Sequence, residues 1–354
     1  MSSTKSGSPQ GITWQALEVR SPHIDKPVPV YAAKSIPYTQ DAHRFQTINV
    51  YAPRASNSSI SPGDPFKSLP LSSSSTTRLP RWLVHIHGGA WRDPFLDASS
   101  IEATVAHALE SVDPDSSISA IVSINYTLSP FPTHSTLPYD PNNGDQLDVA
   151  RNAQHPGHIR DVLDSFVLLR KLGLEDDSYI LSGHSAGACL AFQTALFPRE
   201  QWGLEPGELP PRPAAVLGLN GLYDLPDLVH NLGASHQHLA DVYQNLLGQA
   251  FGQNQDAWPA ASPARFNPES VAQRLDEGKL ARVVLIDQSL EDQLVPVAQA
   301  DKLERRLREV KGLQVIRGNR CTDRHAAPWE EGYMIWQTIK DVLQVLSDGV
   351  QEAR

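Results

Sequence analysis

The pentapeptide GHSAG at residues 183–187 constrains the fold of this chain more than any other segment. A short apolar run at 178–181 precedes it, and small and apolar residues fill 186–197 until Pro198. These patterns predict a strand, a sharp turn and a helix in direct succession. Such a turn holds Ser185 in a strained backbone conformation and requires small neighbours, because the strand and the helix pass close together.

Strand and helix patterns alternate along the rest of the chain. The predicted strands are 46–53, 81–86, 120–125, 178–181, 216–220, 283–286 and 313–316, and the predicted helices are 97–109, 158–172, 186–197 and 329–346. This alternation predicts an α/β fold, with a mostly parallel sheet and helices on both faces. A chain of 354 residues with 40% hydrophobic content can bury one large core. The motif order favours a single domain over residues 11–354.

Three segments fall outside the alternation. Residues 1–10 are polar and predict a disordered tail. Residues 55–80 are rich in Ser and Pro and predict a solvent-exposed insertion loop, either ordered or disordered. Residues 222–280 are longer than one crossover requires, which predicts a small helical cap over the site.

Composition and charge argue against several kinds of partner. The formal net charge is -10, which repels phosphate backbones, so we expect no nucleic acid partner. No apolar run approaches the roughly 18 residues of a membrane span, and residues 1–10 lack the apolar segment of a signal peptide. Two cysteines, Cys189 and Cys321, do not make a disulfide framework. We therefore expect a cytoplasmic protein that does not bind membranes.

A serine on such a turn needs a general base before its hydroxyl can act as a nucleophile. When serine nucleophiles occupy strand-to-helix turns, the chain order is Ser, then Asp or Glu, then His. His325 lies between the last predicted strand and the closing helix, where this order places the base. His230, His236 and His238 lie earlier, in the predicted cap. We therefore assign Ser185 as the nucleophile and His325 as the base.

The acid that orients the base is expected after the strand at 283–286. Asp287, Glu291 and Asp292 all lie there. We favour Asp292, because it precedes Pro296, a residue suited to the first turn of the next helix. Asp287, which lies directly at the strand end, is the second candidate.

A glycine pair follows the predicted strand at 81–86, in the segment HGGAW at 87–91. Consecutive glycines leave backbone N–H groups unobstructed by side chains. Such a loop, together with the residue after the serine, supplies an oxyanion hole. We therefore assign the hole to Gly88 or Gly89 together with Ala186.

Four further residues near these motifs have alternative interpretations. His85 and His87 resemble a metal pair, but too few further ligands lie close by, so we expect no metal and a structural role for His87 in the loop. Trp91 either lines the substrate pocket or belongs to the core. Tyr223, in the predicted cap, is a second candidate for the pocket.

Together these residues resemble the α/β-hydrolase fold, and more narrowly the fungal kynurenine formamidases (arylformamidases). The narrower likeness rests on HGGAW at 87–91, which matches that family's HGGxW motif, on GHSAGA at 183–188, and on the positions of Asp292 and His325. Further similar stretches are INYTLSP at 124–130, HPGHIRD at 155–161 and NGLYDL at 220–225. The likeness spans residues 46–347 but not the insertion at 55–80.

The resemblance implies hydrolysis of N-formyl-L-kynurenine to L-kynurenine and formate, in tryptophan catabolism towards NAD biosynthesis. The triad of Ser185, His325 and Asp292 then acts through a formyl-serine, with no metal or organic cofactor, and the family suggests a homodimer. Two alternatives remain open. One is a broad-specificity carboxylesterase of the hormone-sensitive-lipase-like type, because many esterases share these motifs. The other is a protein of the same fold that binds a ligand or partner without catalysis.

Overall fold

The computed structural model describes residues 11–54, 59–70, 82–110, 118–205 and 209–352. The tail expected at 1–10 lies outside these residues, as do positions 55–58 and 71–80 of the expected insertion loop.

The described residues form a central sheet of nine strands. In chain order the strands are β1 (Gln15–Val19), β2 (Val28–Pro37), β3 (Thr47–Pro53), β4 (Trp82–Ile86), β5 (Ala120–Ile124), β6 (Tyr179–His184), β7 (Ala215–Leu219), β8 (Val283–Asp287) and β9 (Gln314–Arg317). Their order across the sheet is β1-β2-β3-β5-β4-β6-β7-β8-β9. Across the sheet in this order, the neighbouring strands from β1 through β3 to β5 pair antiparallel. The neighbouring strands from β5 through β4 to β9 pair parallel. The predicted mostly parallel sheet is confirmed.

Helices cover both faces of this sheet. They are α1 (Glu102–Leu109), α2 (Gly157–Lys171), α3 (Ala186–Leu196), α4 (Asp227–His230), α5 (Ala240–Phe251), α6 (Trp258–Ala261), α7 (Pro268–Asp276), α8 (Ala298–Arg308), α9 (Ala327–Glu331) and α10 (Tyr333–Glu352). One core cluster includes Val162 of α2 and Phe192 of α3, and the other includes Val105 of α1 and Ile339 of α10. Since alternate strand residues belong to different clusters, the two cores lie on opposite faces. No helix within the described residues combines the length and the apolar character needed to cross a bilayer.

The predicted cap contains α4, α5, α6 and α7 within residues 222–280. This excursion leaves from the carboxyl end of β7, the edge of the sheet at which Ser185 also lies. On α5, the Tyr243 hydroxyl donates a hydrogen bond of 2.7 Å to the carbonyl of Leu294, in the loop after β8. The cap therefore contacts the same sheet edge that carries the predicted site.

Two N-terminal strands, β1 and β2, were not predicted. β1 is an edge strand whose residues are mostly exposed, so its sequence lacks a clear apolar alternation. The register of β2 against β3 shifts between Ala33 and Ile36. A bulge of this kind interrupts the period-two pattern on which strand prediction depends.

The helix predicted at 329–346 is divided into α9 and α10 at Gly332, which has a φ of 74°. A Cβ at this position would lie 2.2 Å from the carbonyl carbon of Ala103 in α1. The break therefore depends on a close approach between two backbones, which the helical spacing of the sequence does not report.

Most of residues 59–70 are exposed, as the expected insertion loop implies, but two of their side chains are packed. Phe66 and Leu69 are each 1% exposed. The ring of Phe66 lies 5.2 Å from the ring of Trp14, and the backbone N–H of Leu69 donates to the carbonyl of Leu172 over 2.9 Å. Backbone hydrogen bonds between Trp14 and both Gly63 and Asp64 also hold this segment against the body of the protein.

Candidate active site

The turn between β6 and α3 places Ser185 at the carboxyl end of the sheet. β6 ends at His184 and α3 begins at Ala186, so Ser185 alone makes the turn. Its φ of 55° and ψ of -121° lie in a region that residues with a side chain rarely adopt. The predicted strained strand-to-helix turn is therefore present.

Two glycines flank this turn because backbone segments nearly touch there. A Cβ on Gly183 would lie 2.2 Å from the carbonyl oxygen of Gly187. A Cβ on Gly187 would lie 2.0 Å from the carbonyl oxygen of Ile86, the last residue of β4. The start of α3 therefore packs directly on the end of β4, which brings the loop after β4 beside Ser185.

His325 and Asp292 form a hydrogen-bonded pair, with 2.7 Å between His325 Nδ1 and Asp292 Oδ2. Asp292 lies in the loop after β8 and His325 in the loop after β9, and the Asp292 side chain is fully buried. Its Oδ1 accepts the backbone N–H groups of Leu294 and Val295, both at 2.9 Å, and its Oδ2 also accepts Gln288 Nε2 at 3.0 Å. These donors orient the carboxylate towards the imidazole.

Asp287, the second candidate acid, faces another part of the structure. Its Oδ2 accepts the backbone N–H of Arg320 at 2.8 Å, and a Cβ on Gly318 would lie 2.5 Å from the same oxygen. Burial raises the pKa of the Asp287 carboxyl. Among the candidate acids, all of which lie within the described residues, Asp292 is the one hydrogen-bonded to His325.

The backbone of His325 is held against the Ser185 turn. Its carbonyl accepts a hydrogen bond of 2.9 Å from His184 Nε2 and one of 3.3 Å from Asn220 Nδ2. Its N–H donates to Gln293 Oε1 over 2.9 Å. The sequence analysis missed these three supporting residues. The sequence contains one indication of such a supporting role, which is the position of His184 inside the GHSAG motif.

The Ser185 hydroxyl makes no hydrogen bond to any residue that the structure describes. The rings of His184 and His325 lie 4.8 Å apart, so the base is adjacent to the residue that precedes the serine. Hydrogen bonds between a nucleophile and its base are often long in a free enzyme and shorten when substrate binds. His325 therefore lies beside the residue that precedes Ser185.

The loop after β4 contacts Ser185 directly. A Cβ on Gly88 would lie 3.2 Å from the Cβ of Ser185. The N–H groups of Gly88 and Gly89 donate no hydrogen bond within the described part of the chain. Ala186 is the first residue of α3, so its N–H has no intrahelical partner. Of the donors expected from the sequence, Gly88 and Ala186 adjoin Ser185, whereas the nearest neighbours of Gly89 are Leu96 and Asp93.

His87 and Tyr126 shape this loop. The Tyr126 hydroxyl lies 3.1 Å from the His87 carbonyl and 2.9 Å from the Gly88 carbonyl, and its ring stacks on that of His87 at 4.5 Å. Burial lowers the pKa of His87 to about 4, so the ring is neutral. His85 hydrogen-bonds Ser182 Oγ at 2.8 Å instead. The two histidines of the H-x-H pair thus have separate partners.

The two candidate pocket residues, Trp91 and Tyr223, are fully buried. Trp91 packs edge-on against Phe251 of α5 with ring centroids 4.9 Å apart, so it connects the loop after β4 to the cap. Tyr223 lies in the core against Gly218, where a Cβ would come within 2.1 Å of its hydroxyl. The structure therefore places Tyr223 in the core rather than at a pocket wall.

Known proteins are similar in sequence to this chain over much of its length. The kynurenine formamidase-like hydrolase fscH of Fusarium equiseti is 29% identical over 330 residues, which cover 90% of this chain and 97% of that protein. The kynurenine formamidase avaC of Aspergillus versicolor is 33% identical over 228 residues, which cover 62% of this chain and 72% of that protein. This chain belongs to the kynurenine formamidase family. No family model matches the sequence.

Several solved structures have the same fold as this chain. Esterase B of Lactobacillus rhamnosis aligns with a TM-score of 0.59 at 16% identity, over 95% of this chain and 90% of its own. A truncated carbohydrate esterase from gut microbiota aligns with a TM-score of 0.55, over 90% of this chain and 95% of its own. At such low identity the likeness shows the α/β-hydrolase fold alone.

Proposed function

We propose that this hydrolase cleaves N-formyl-L-kynurenine to L-kynurenine and formate, a step of tryptophan catabolism towards NAD. The observation that carries the proposal is the 2.7 Å hydrogen bond from His325 to the buried Asp292, beside the strained turn at Ser185. Family membership supports the choice of substrate.

Acylation begins when His325 Nε2 accepts the proton of the Ser185 hydroxyl and the oxygen attacks the formyl carbon. The carbonyl oxygen becomes an oxyanion, which the N–H groups of Gly88, Gly89 and Ala186 are placed to stabilise. Asp292 accepts a hydrogen bond from Nδ1 of His325, which fixes the tautomer and stabilises the imidazolium. When the C–N bond breaks, His325 returns the proton to the leaving nitrogen, and L-kynurenine departs.

Deacylation repeats the sequence with water. His325 removes a proton from a water molecule, which attacks the formyl-serine ester. The second oxyanion uses the same three N–H groups. When the C–O bond breaks, the Ser185 oxygen recovers a proton from His325 and formate leaves. The leaving group of the first stage is an aryl amine, which departs more easily than an alkyl amine, so the residues of an ordinary serine esterase suffice.

A substrate comparison tests the proposal. We expect kcat/KM for N-formyl-L-kynurenine to exceed that for p-nitrophenyl acetate and p-nitrophenyl butyrate. The alternative, a carboxylesterase, is favoured by the esterases that share the fold, and a clear preference for the p-nitrophenyl esters would establish it in place of the formamidase.

Two variants test the serine mechanism. Ser185→Ala and His325→Ala should each lower kcat by about 10³-fold or more while the protein stays folded. A fluorophosphonate probe should label the wild type but not Ser185→Ala. The exposed Ser270 provides the control, since Ser270→Ala should be labelled normally. Labelling of Ser185→Ala at the wild-type level would place the nucleophile elsewhere.

A further inference from the structure

The residue that follows β7, Asn220, is fully buried and has a left-handed backbone conformation, with a φ of 46°. Asn adopts this conformation more readily than most residues that carry a side chain. Its backbone N–H donates to the Asp287 carbonyl over 2.9 Å, and the carbonyl of the preceding Leu219 accepts the N–H of Ser185, also over 2.9 Å. Asn220 is therefore one residue from the strand contact that holds the Ser185 backbone.

The side chain of Asn220 joins two loops, the Asp292 loop (residues 288–297) and the His325 loop (residues 318–326). Its Oδ1 accepts the backbone N–H of Ser289 in the Asp292 loop over 2.9 Å. Its Nδ2 donates to the carbonyl of His325 over 3.3 Å. Both ends of this buried amide are thus engaged, one in each loop.

Ser289 makes a second connection between the same two loops. Its side chain is fully buried, and the hydroxyl donates to the carbonyl of Asp323 over 2.5 Å. The same hydroxyl accepts the backbone N–H of Glu291 over 3.1 Å. Ser289 therefore stabilises the turn of its own loop and ties that loop to the chain two residues before His325.

Loops need such connections when they carry the groups of one site, because they are more mobile than the strands that they join. The hydrogen bond between His325 and Asp292 fixes the two side chains relative to each other but not relative to Ser185. Strand β7 lies between β6, which leads to Ser185, and β8, which leads to the Asp292 loop. Asn220 at the end of β7 is therefore anchored beside all three. His184 holds the same His325 carbonyl, whereas Asn220 holds the Asp292 loop as well.

We propose that Asn220, together with Ser289, is a positioning residue that fixes the Asp292 and His325 loops relative to Ser185. The inference rests on the serine mechanism proposed above. Asn220 acts through His325 and Asp292 and not on the substrate. Its loss should therefore slow the chemical step for any acyl substrate, because each substrate uses the same base.

Asn220→Gly tests this role, since it removes both side-chain hydrogen bonds and Gly adopts a positive φ without strain. The variant should lower kcat for N-formyl-L-kynurenine by about 10- to 100-fold and leave KM within about threefold, because a misplaced base slows the reaction without weakening binding. The rate at which a fluorophosphonate labels Ser185 should fall by a similar factor.

Ser289→Ala is a milder second variant, which keeps the backbone N–H that Asn220 binds and removes only the hydroxyl. It should lower kcat by about threefold to tenfold with KM little changed. This variant decides the question if Asn220→Gly fails to fold, which circular dichroism would report.

A double mutant separates positioning from a general structural role. When His325→Ala has already removed the base, Asn220→Gly should cause no further loss of kcat, because its effect passes through His325. The matched control is Asn49→Ala. Asn49 is a buried residue of β3 whose side chain likewise accepts a backbone N–H, that of Ser35, over 2.9 Å. The control should be less stable in urea but close to wild type in kcat.

The inference would be wrong if Ser289→Ala and a folded Asn220→Gly both kept the wild-type kcat, or if Asn220→Gly cost as much in the His325→Ala background as in the wild type. A wild type that hydrolyses p-nitrophenyl acetate but not N-formyl-L-kynurenine would contradict the proposed substrate alone, and the same variants measured on the ester would still decide the role of Asn220. Full activity of His325→Ala would overturn the serine mechanism and this inference together.

Discussion

His184 Nε2 donates a hydrogen bond of 2.9 Å to the carbonyl oxygen of His325, so the residue before Ser185 holds the backbone of the proposed base. The acceptor is a carbonyl, so Nε2 carries the proton. Burial lowers the pKa of His184 well below its ordinary value, which keeps the ring neutral. Neutrality matters for the proposed mechanism, because a charged ring 4.8 Å away would oppose an imidazolium on His325.

Removing this hydrogen bond should slow the chemical step more than it weakens substrate binding. We expect His184→Leu to lower kcat by about 10- to 100-fold with KM little changed, because small misplacements of a catalytic group are costly. His184→Gln, which retains a side-chain N–H donor, should lose less. Steady-state kinetics over a pH series would measure both variants. Equal losses in the two would show that packing, not the hydrogen bond, is responsible.

The two candidate acids should behave differently when neutralised. Asp292→Asn should lower kcat by about 10⁴-fold, because an amide at this position favours the wrong imidazole tautomer. Asp287→Asn should stay close to wild type in kcat, since Asp287 contacts the Arg320 backbone and not His325. The comparison needs kcat for both variants and circular dichroism to verify folding. A severe loss in Asp287→Asn with Asp292→Asn unaffected would reverse the assignment.

The close approach at Gly187 should make even one methyl group destabilising. The added Cβ would lie 2.0 Å from the Ile86 carbonyl oxygen, and backbone cannot move aside as a flexible side chain can. We expect Gly187→Ala to reduce the free energy of unfolding by about 3 kcal/mol or more. Gly349 in α10 has no atom within 4 Å of an added Cβ, so Gly349→Ala should be stabilising by about 0.5–1 kcal/mol. Urea denaturation of both variants would measure these changes, and similar stabilities would argue against the contact.

Buried neutral histidines should make the protein acid-sensitive. Burial lowers the pKa from 6.5 to about 3 for His85 and His158 and to about 4 for His155. Between these values and 6.5 the unfolded chain binds protons that the folded protein does not. The free energy of unfolding should therefore fall as pH drops below about 6.5, with each histidine contributing up to about 1.4 kcal/mol per pH unit.

Urea denaturation between about pH 7.5 and pH 5 would test this slope. His158→Gln removes one of the three groups, so its stability should depend less steeply on pH than that of the wild type. A wild-type stability that is unchanged across the range would contradict the burial of neutral histidines.

Several features of the site were predictable because their signals are local. The strand, turn and helix around Ser185 occupy one continuous stretch of sequence. Glycines on both sides of the turn indicate that backbone segments pack closely there. The alternation of apolar runs likewise predicted the parallel part of the sheet. His325 was identified from its place after the last strand. The order of motifs along the chain can be read from the sequence without knowing any contact.

Other features depend on partners that are distant in the chain. Two of the hydrogen bonds of His325 join it to His184, 141 positions away, and to Asp292, 33 positions away. Asn220 and Ser289 are 69 positions apart. The packing of Phe66 on Trp14 likewise joins two segments that the sequence does not connect. The spacing of residues along the sequence does not predict contacts between such distant pairs.

By itself the sequence determined the class of fold, the turn at Ser185 and the loops that carry Asp292 and His325, since each follows from a contiguous run of residues. Only the tertiary structure decided which carboxylate faces the imidazole of His325 and what holds the backbone of His325 in place. The physical reason is that hydrogen bonds and desolvation act through space, between groups that the fold alone brings together.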